Sequence, residues 1–85
     1  MKTAIKSLIH HAPAPLYSTD GTPEDQKRIL FRGVHPSSMW TWTAYEAEAA
    51  EMDDILCFGR VDGFESELGY FSVDELLENG VIIEI

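Results

Sequence analysis

Beyond Tyr45 the chain contains one basic residue, Arg60. The same stretch carries twelve carboxylates, a local charge of about −11. Residues 1–45 hold three acids against five bases, about +2, so the formal net charge is −9. Basic residues are too few and too dispersed for direct nucleic-acid binding, and the net charge repels phosphate. Cysteine is as scarce. A single Cys57 excludes an intrachain disulfide and fits a reducing, cytoplasmic setting. No apolar run is long enough for a signal peptide or a membrane span, since Ile5, Leu8 and Ile9 stop at His10 and His11. No glycine-rich phosphate loop, nucleophile elbow or zinc-like spacing occurs, so neither a cofactor nor a metal is expected. His10, His11 and His35 lack further ligands at a useful spacing, and Glu51, Asp53 and Asp54 lack the alternating oxygens of a calcium loop.

What the chain does have is apolar and aromatic content. Hydrophobic residues make up 45% of 85, too many for a disordered acidic tail and enough for one small core. Trp40, Trp42, Tyr45, Phe58, Phe64, Tyr70 and Phe71 crowd into the middle of the chain. Ala4 to His10 reads as a short helix with Thr3 as N-cap. Pro13 and Pro15 end it and impose an extended segment carrying Leu16 and Tyr17. Ser18 to Gly21 is turn-forming, and Thr22-Pro23-Glu24-Asp25 is either one helical turn or a loop.

Strands are expected over Arg28–Val34, Met39–Glu46, Asp54–Val61, Leu68–Ser72 and Val81–Ile85. Simple alternation puts Trp40, Trp42 and Ala44 on one face of the second strand, with Thr41, Thr43 and Tyr45 on the other. Gly59 inside the third signals a bulge or a close backbone approach. Short connections make the successive strands antiparallel neighbours. Ser72-Val73-Asp74-Glu75 is a capping box opening a short helix that Asn79-Gly80 stops. The fold class is therefore α+β: a small antiparallel sheet of four to five strands with one N-terminal helix and one short C-terminal helix, in a single domain over residues 1–85.

The runs Pro15-Leu16-Tyr17, Met39-Trp40-Thr41-Trp42, Phe58-Gly59, Glu65-Ser66-Glu67-Leu68-Gly69-Tyr70-Phe71-Ser72 and Glu75-Leu76 resemble a family of short uncharacterised proteins carried by plasmids, phages and other mobile elements. The resemblance spans about Pro15 to Leu77. It implies a mobile-element accessory protein and brings no catalytic residues. By size and charge the chain is also similar to small acidic anti-CRISPR proteins, in type rather than in motif.

Solvated sheet faces normally interleave lysine with glutamate, and here the lysines are missing. Glu65 and Glu67, two apart on a strand, would project the same way at roughly 6.7 Å, close to a phosphate spacing. Glu46 and Glu48 repeat the arrangement. Rigid carboxylates compete for the cations with which nucleic-acid-binding proteins hold phosphates, and opposite charge raises the on-rate. The sequence thus predicts a non-enzymatic inhibitor encoded by a phage or mobile element. It would bind a CRISPR-Cas effector subunit and block target DNA through a DNA-mimicking surface formed by Glu46, Glu48, Glu51, Asp53, Asp54, Glu65 and Glu67, with an exposed aromatic as anchor.

The alternative is an accessory protein-interaction module, a monomer or a homodimer paired through the Val81–Ile85 edge, with charge serving solubility. A small hydrolase or restriction inhibitor is a weaker third option. Trp40 and Trp42 are expected in the sheet core, as are Tyr17 and Tyr70 with their hydroxyls at the rim. Cys57 is expected as a buried packing residue. Lys27, Arg28 and Arg32 would pair with a partner or with the chain's own carboxylates.

Overall fold

A computed structural model describes all residues, Met1 to Ile85, as a two-layer α+β domain. Its strands are β1 (Phe31–Val34), β2 (Thr41–Ala49), β3 (Ile55–Asp62), β4 (Ser66–Ser72) and β5 (Ile82–Glu84), in the sheet order β4-β3-β2-β1-β5. Every pairing is antiparallel. The first four strands form a meander, as their short connections require. Helix α1 (Lys2–His11) and helix α2 (Val73–Glu78) cover one face. That face supplies the core: Ile5 from α1, Phe31, Ala44, Ala47, Ile55, Cys57, Phe71 and Ile83 from the strands, and Val73 and Leu76 from α2.

Helix α1 begins earlier than the sequence predicts. Its N-cap is Met1, so Thr3 lies inside the first turn and caps nothing. Helix α2 starts as predicted, with the Ser72 hydroxyl accepting from the Glu75 N–H at 3.0 Å. The asparagine and glycine that follow end it, Gly80 adopting a left-handed φ of 78°. The polypeptide then crosses to pair β5 with β1, making β5 and β4 the two sheet edges. Thr22 to Asp25 contributes one 3-10 turn, Glu24–Gln26. Arg28 to Leu30 leads into β1 rather than belonging to it, although the Leu30 N–H already donates to the Ala44 carbonyl at 2.8 Å.

A bulge in β2 reorganises the sheet. Ala44 pairs with Gly59 and Glu46 with Phe58, leaving Tyr45 without a partner. A Cβ at Gly59 would sit 1.8 Å from the Thr43 carbonyl oxygen, so the bulge requires glycine there. The extra residue reverses the alternation. Trp42, Ala44 and then Ala47 face the helices, while Glu46 and Glu48 are turned to the opposite face with Phe58 and Leu56. Simple alternation had put Glu46 on the tryptophan side.

Residues 13–27 fold over that opposite face. The Ala47 N–H donates to the Ala14 carbonyl, extending the sheet where β1 has ended. Tyr17 is 66% and Tyr70 53% exposed, so neither belongs to the core as expected. Tyr17 sits on a left-handed loop (φ 72°) and Tyr70 on the solvent side of edge strand β4.

Candidate functional site

The seven carboxylates expected to form one surface do not lie together. Glu48, Glu51, Asp53 and Asp54 lie at the β2–β3 turn, and Glu65 and Glu67 at the opposite end of the sheet, beside the β3–β4 turn. With eight residues in β3 the two ends are separated by about 25 Å.

Several of the seven are engaged inside the molecule. Glu46 is 2% exposed. It accepts hydrogen bonds from the Tyr17 N–H at 2.7 Å, the Thr19 N–H at 3.1 Å and the Thr19 hydroxyl. Lys27 Nζ closes the arrangement by donating to the Thr19 carbonyl and hydroxyl. Burial pushes the Glu46 carboxyl up, but the Thr19 and Tyr17 donors and the charge of Lys27 outweigh it and hold the group below the usual range. Glu46 is thus a buried organiser of the 13–27 loop and not a surface carboxylate. Asp53 pairs with Lys6, and at 3.8 Å with Lys2, which also holds Asp74 at 2.8 Å. Asp54 accepts from the Ile55 and Asp74 N–H groups, at 2.7 and 3.0 Å, and fixes the start of α2 against the turn. Glu48 is exposed at its edge, accepting from the Leu16 N–H at 2.9 Å. Glu51 is exposed.

Glu65 and Glu67, like Glu51, have no partner inside the molecule. Both are exposed, and neither takes part in any of the four ion pairs. Arg60, the one cation of the acidic half, forms its ion pair with Glu24 and also donates through Nη1 to the Ser66 hydroxyl at 3.3 Å. Its Nε and Nη2 grip Glu24 at 3.0 and 2.5 Å, and the Tyr45 hydroxyl donates to the same carboxylate at 2.8 Å. The Arg60 guanidinium, and secondarily Tyr45, hold the Glu24 carboxyl down at about 2. The bulge places Tyr45 in this clamp, which fastens the N-terminal loop to the outer face of the sheet.

Around Glu65 and Glu67 the sheet presents its most exposed large aromatic. Phe64 is 95% exposed and sets its ring edge against Trp40, with centroids 5.3 Å apart and planes at 83°. Trp40 is half-buried and leans on Trp42 at 6.2 Å, and Trp42 in turn packs against the core. Beneath Trp40 lies Gly63, where a Cβ would come within 2.6 Å of the indole. The β1–β2 loop ties down the Trp40 backbone. The His35 N–H donates to the Trp40 carbonyl at 2.9 Å, and His35 Nδ1 accepts from the Ser37 and Ser38 N–H groups. Trp40 and Trp42 are therefore neither wholly core nor wholly surface: Trp42 roots the pair and Trp40 forms a ridge.

Two clefts flank that ridge. One, about 310 Å³, is lined by Trp40, Val61, Phe64, Glu65 and Glu67. The other is lined in part by Trp40, Trp42, His35 and Glu75. Each cleft thus combines tryptophan with unpaired carboxylate. The sequence exposed the missing lysines and the Glu65/Glu67 pair, but not that Phe64 would stand beside them. The Asp62-Gly63 turn was the available signal, because an aromatic at a hairpin tip has no sheet face to join.

Cys57 is buried and its thiol is pushed up to about 12, by burial first and then by the charge of Asp54. No three His, Cys, Asp or Glu side chains converge as metal ligands would. No helix is long and apolar enough to cross a membrane. No family model matches the chain, and no curated protein or solved structure is significantly similar to it.

Proposed function

We propose that this protein is a non-enzymatic inhibitor of the anti-CRISPR type. It acts in the cytoplasm of a host cell and docks its Trp40/Phe64 tip on the basic surface of a CRISPR-Cas effector, so that target DNA is kept away. The observation that carries this is the coexistence of an exposed Phe64 with the unpaired carboxylates of Glu65 and Glu67, while Arg60 is held on Glu24. Aromatic anchors ringed by polar groups are the usual energetic centres of interfaces. A carboxylate rim with no cation inside it selects a basic partner and speeds encounter. The choice of a CRISPR effector as target derives from the chain's size, charge and mobile-element resemblance. Mimicry of a polynucleotide is accordingly confined to one end of the sheet instead of being spread over seven residues.

Complex formation with purified, guide-loaded effectors, followed by size-exclusion chromatography at low and high salt, tests this. Binding that falls steeply with salt, and falls again in the Glu65→Gln/Glu67→Gln variant, supports the proposal. Binding to no effector, or binding indifferent to both changes, overturns it.

A second role has its own support. Both sheet edges are open, with Ile82 and Ile85 exposed at β5 and Leu68 and Tyr70 exposed on β4. Open edges pair with other strands, which fits an accessory module of a mobile element acting as a homodimer. Light scattering after size exclusion separates the two roles: a dimer that survives high salt favours the second.

A further inference from the structure

We propose that the cleft lined by Trp40, Phe64, Glu65 and Glu67 is a receptor for a single arginine side chain. Its walls are the Trp40 and Phe64 rings, almost perpendicular at 83°, and Val61 lies in its lining. Glu65 and Glu67 complete the lining. Two perpendicular aromatic surfaces with carboxylates beside them form a cage for a cation: the ring faces attract positive charge and the carboxylates accept its hydrogens. The volume of about 310 Å³ is at the small end of ligand pockets and suits one side chain rather than a folded segment.

Within the cationic class the geometry favours guanidinium over ammonium. Guanidinium is planar, stacks on an aromatic face such as the open Phe64 ring, sheds water more readily and presents several donors in one plane to a pair of carboxylates. No internal cation competes, because none of the ion pairs reaches Glu65 or Glu67 and Arg60 is held by Glu24. The Trp40 wall of the cleft is held in place. Trp40 is clamped between Gly63, the Trp42 ring and the tied His35–Trp40 loop, so little order is lost when it is filled. This assignment rests on the proposed role of the tip in binding a basic partner, and it identifies the group on that partner that is read.

The test uses N-acetyl-arginine amide as probe, titrated into the nitrogen-15-labelled full chain and followed by NMR. Saturable shifts are expected at the Trp40 indole N–H and at the backbone of Phe64, Glu65 and Glu67. The matching citrulline amide, which has the same shape without the charge, should bind at least about tenfold more weakly, as should N-acetyl-lysine amide. Glu65→Gln/Glu67→Gln should weaken the arginine probe by a similar factor. Phe64→Ala removes one wall at a fully exposed position, leaves the fold intact and should abolish saturation. Shifts that do not saturate, or equal binding of citrulline amide, overturn the cage. Equal binding of lysine amide overturns the assignment to guanidinium. The result is separable from the fate of the proposed function. An effector that needs Phe64 for binding while the arginine probe gives no saturable shift leaves the docking tip standing and removes only the cage.

Discussion

Replacing Glu46 by Gln should destabilise the fold severely, although by sequence Glu46 looks like one more surface carboxylate. The carboxylate is 2% exposed and accepts three hydrogen bonds, from two backbone N–H groups and one hydroxyl. Hydrogen bonds to a charged acceptor contribute about 1.5–3 kcal/mol each, against about 1 kcal/mol for neutral pairs. Glutamine can keep its accepting oxygen on the two Thr19 donors only by turning its NH₂ toward the Tyr17 N–H. Two bonds then weaken and one becomes a donor–donor conflict, for a total loss of about 2–4 kcal/mol. An 85-residue domain has a stability of only about 4–13 kcal/mol, so this is a large share of it. Urea unfolding followed by far-UV circular dichroism reads the effect. With a slope of about 1 kcal/mol per molar urea, the midpoint should fall by roughly 2–4 M. Glu48→Gln and Glu51→Gln, at exposed positions, should each change stability by less than about 0.5 kcal/mol. A Glu46→Gln midpoint within about 0.5 M of the wild type would refute the role given to this carboxylate.

Three further outcomes are expected. Because the Glu24 carboxyl is lowered from 4.5 to about 2 by Arg60 and Tyr45, the clamp stabilises the fold fully above about pH 4.5 and is lost as pH falls toward 2. The shift corresponds to about 3 kcal/mol at most, and since Glu24 is 34% exposed, solvent reduces this to about 1 kcal/mol. Arg60→Gln should therefore lower stability at pH 7 and flatten the acid limb between pH 4.5 and 2, seen in urea midpoints across pH. With its thiol near 12 and the side chain buried, Cys57 should not react with a thiol reagent at pH 8 until the chain is unfolded, and rapid native labelling would contradict its place in the core. Gly59→Ala should abolish the folded state or shift the β2–β3 register, because its Cβ would overlap the Thr43 carbonyl. A native-like spectrum and unchanged midpoint for that variant would contradict the bulge.

Much of the architecture was legible in the sequence because it is locally encoded. Ser72 and Glu75 fix the start of α2, Asn79-Gly80 its end, and the short connections enforce a meander. Gly59 even signalled the bulge. What it could not tell was which strand would carry the extra residue, and that choice decides the facing of everything after Tyr45 in β2. Glu46 was therefore read as surface. The loop that buries it lies some thirty residues earlier in the chain, and no local pattern reports such a contact. The ion pairs of Asp53 were hidden for the same reason, its lysines being at positions 2 and 6. Residue type alone places Tyr17 and Tyr70 in the core, whereas a left-handed loop and an open sheet edge leave them wet. The Glu65/Glu67 pair was legible because its signal is an absence of lysine. Its aromatic neighbours were not, because Phe64 meets Trp40 only through the pairing of two hairpins.

The most direct measurement is displacement. Fluorescently labelled target DNA is added to a guide-loaded effector already mixed with this protein, and DNA binding is followed by anisotropy. If the Trp40/Phe64 tip occupies the basic surface, the wild type should suppress DNA binding, while a Phe64→Ala/Glu65→Gln/Glu67→Gln variant of unchanged melting temperature should let it recover. DNA that binds equally well with or without the wild type, or is excluded just as well by the variant, would contradict the proposed function.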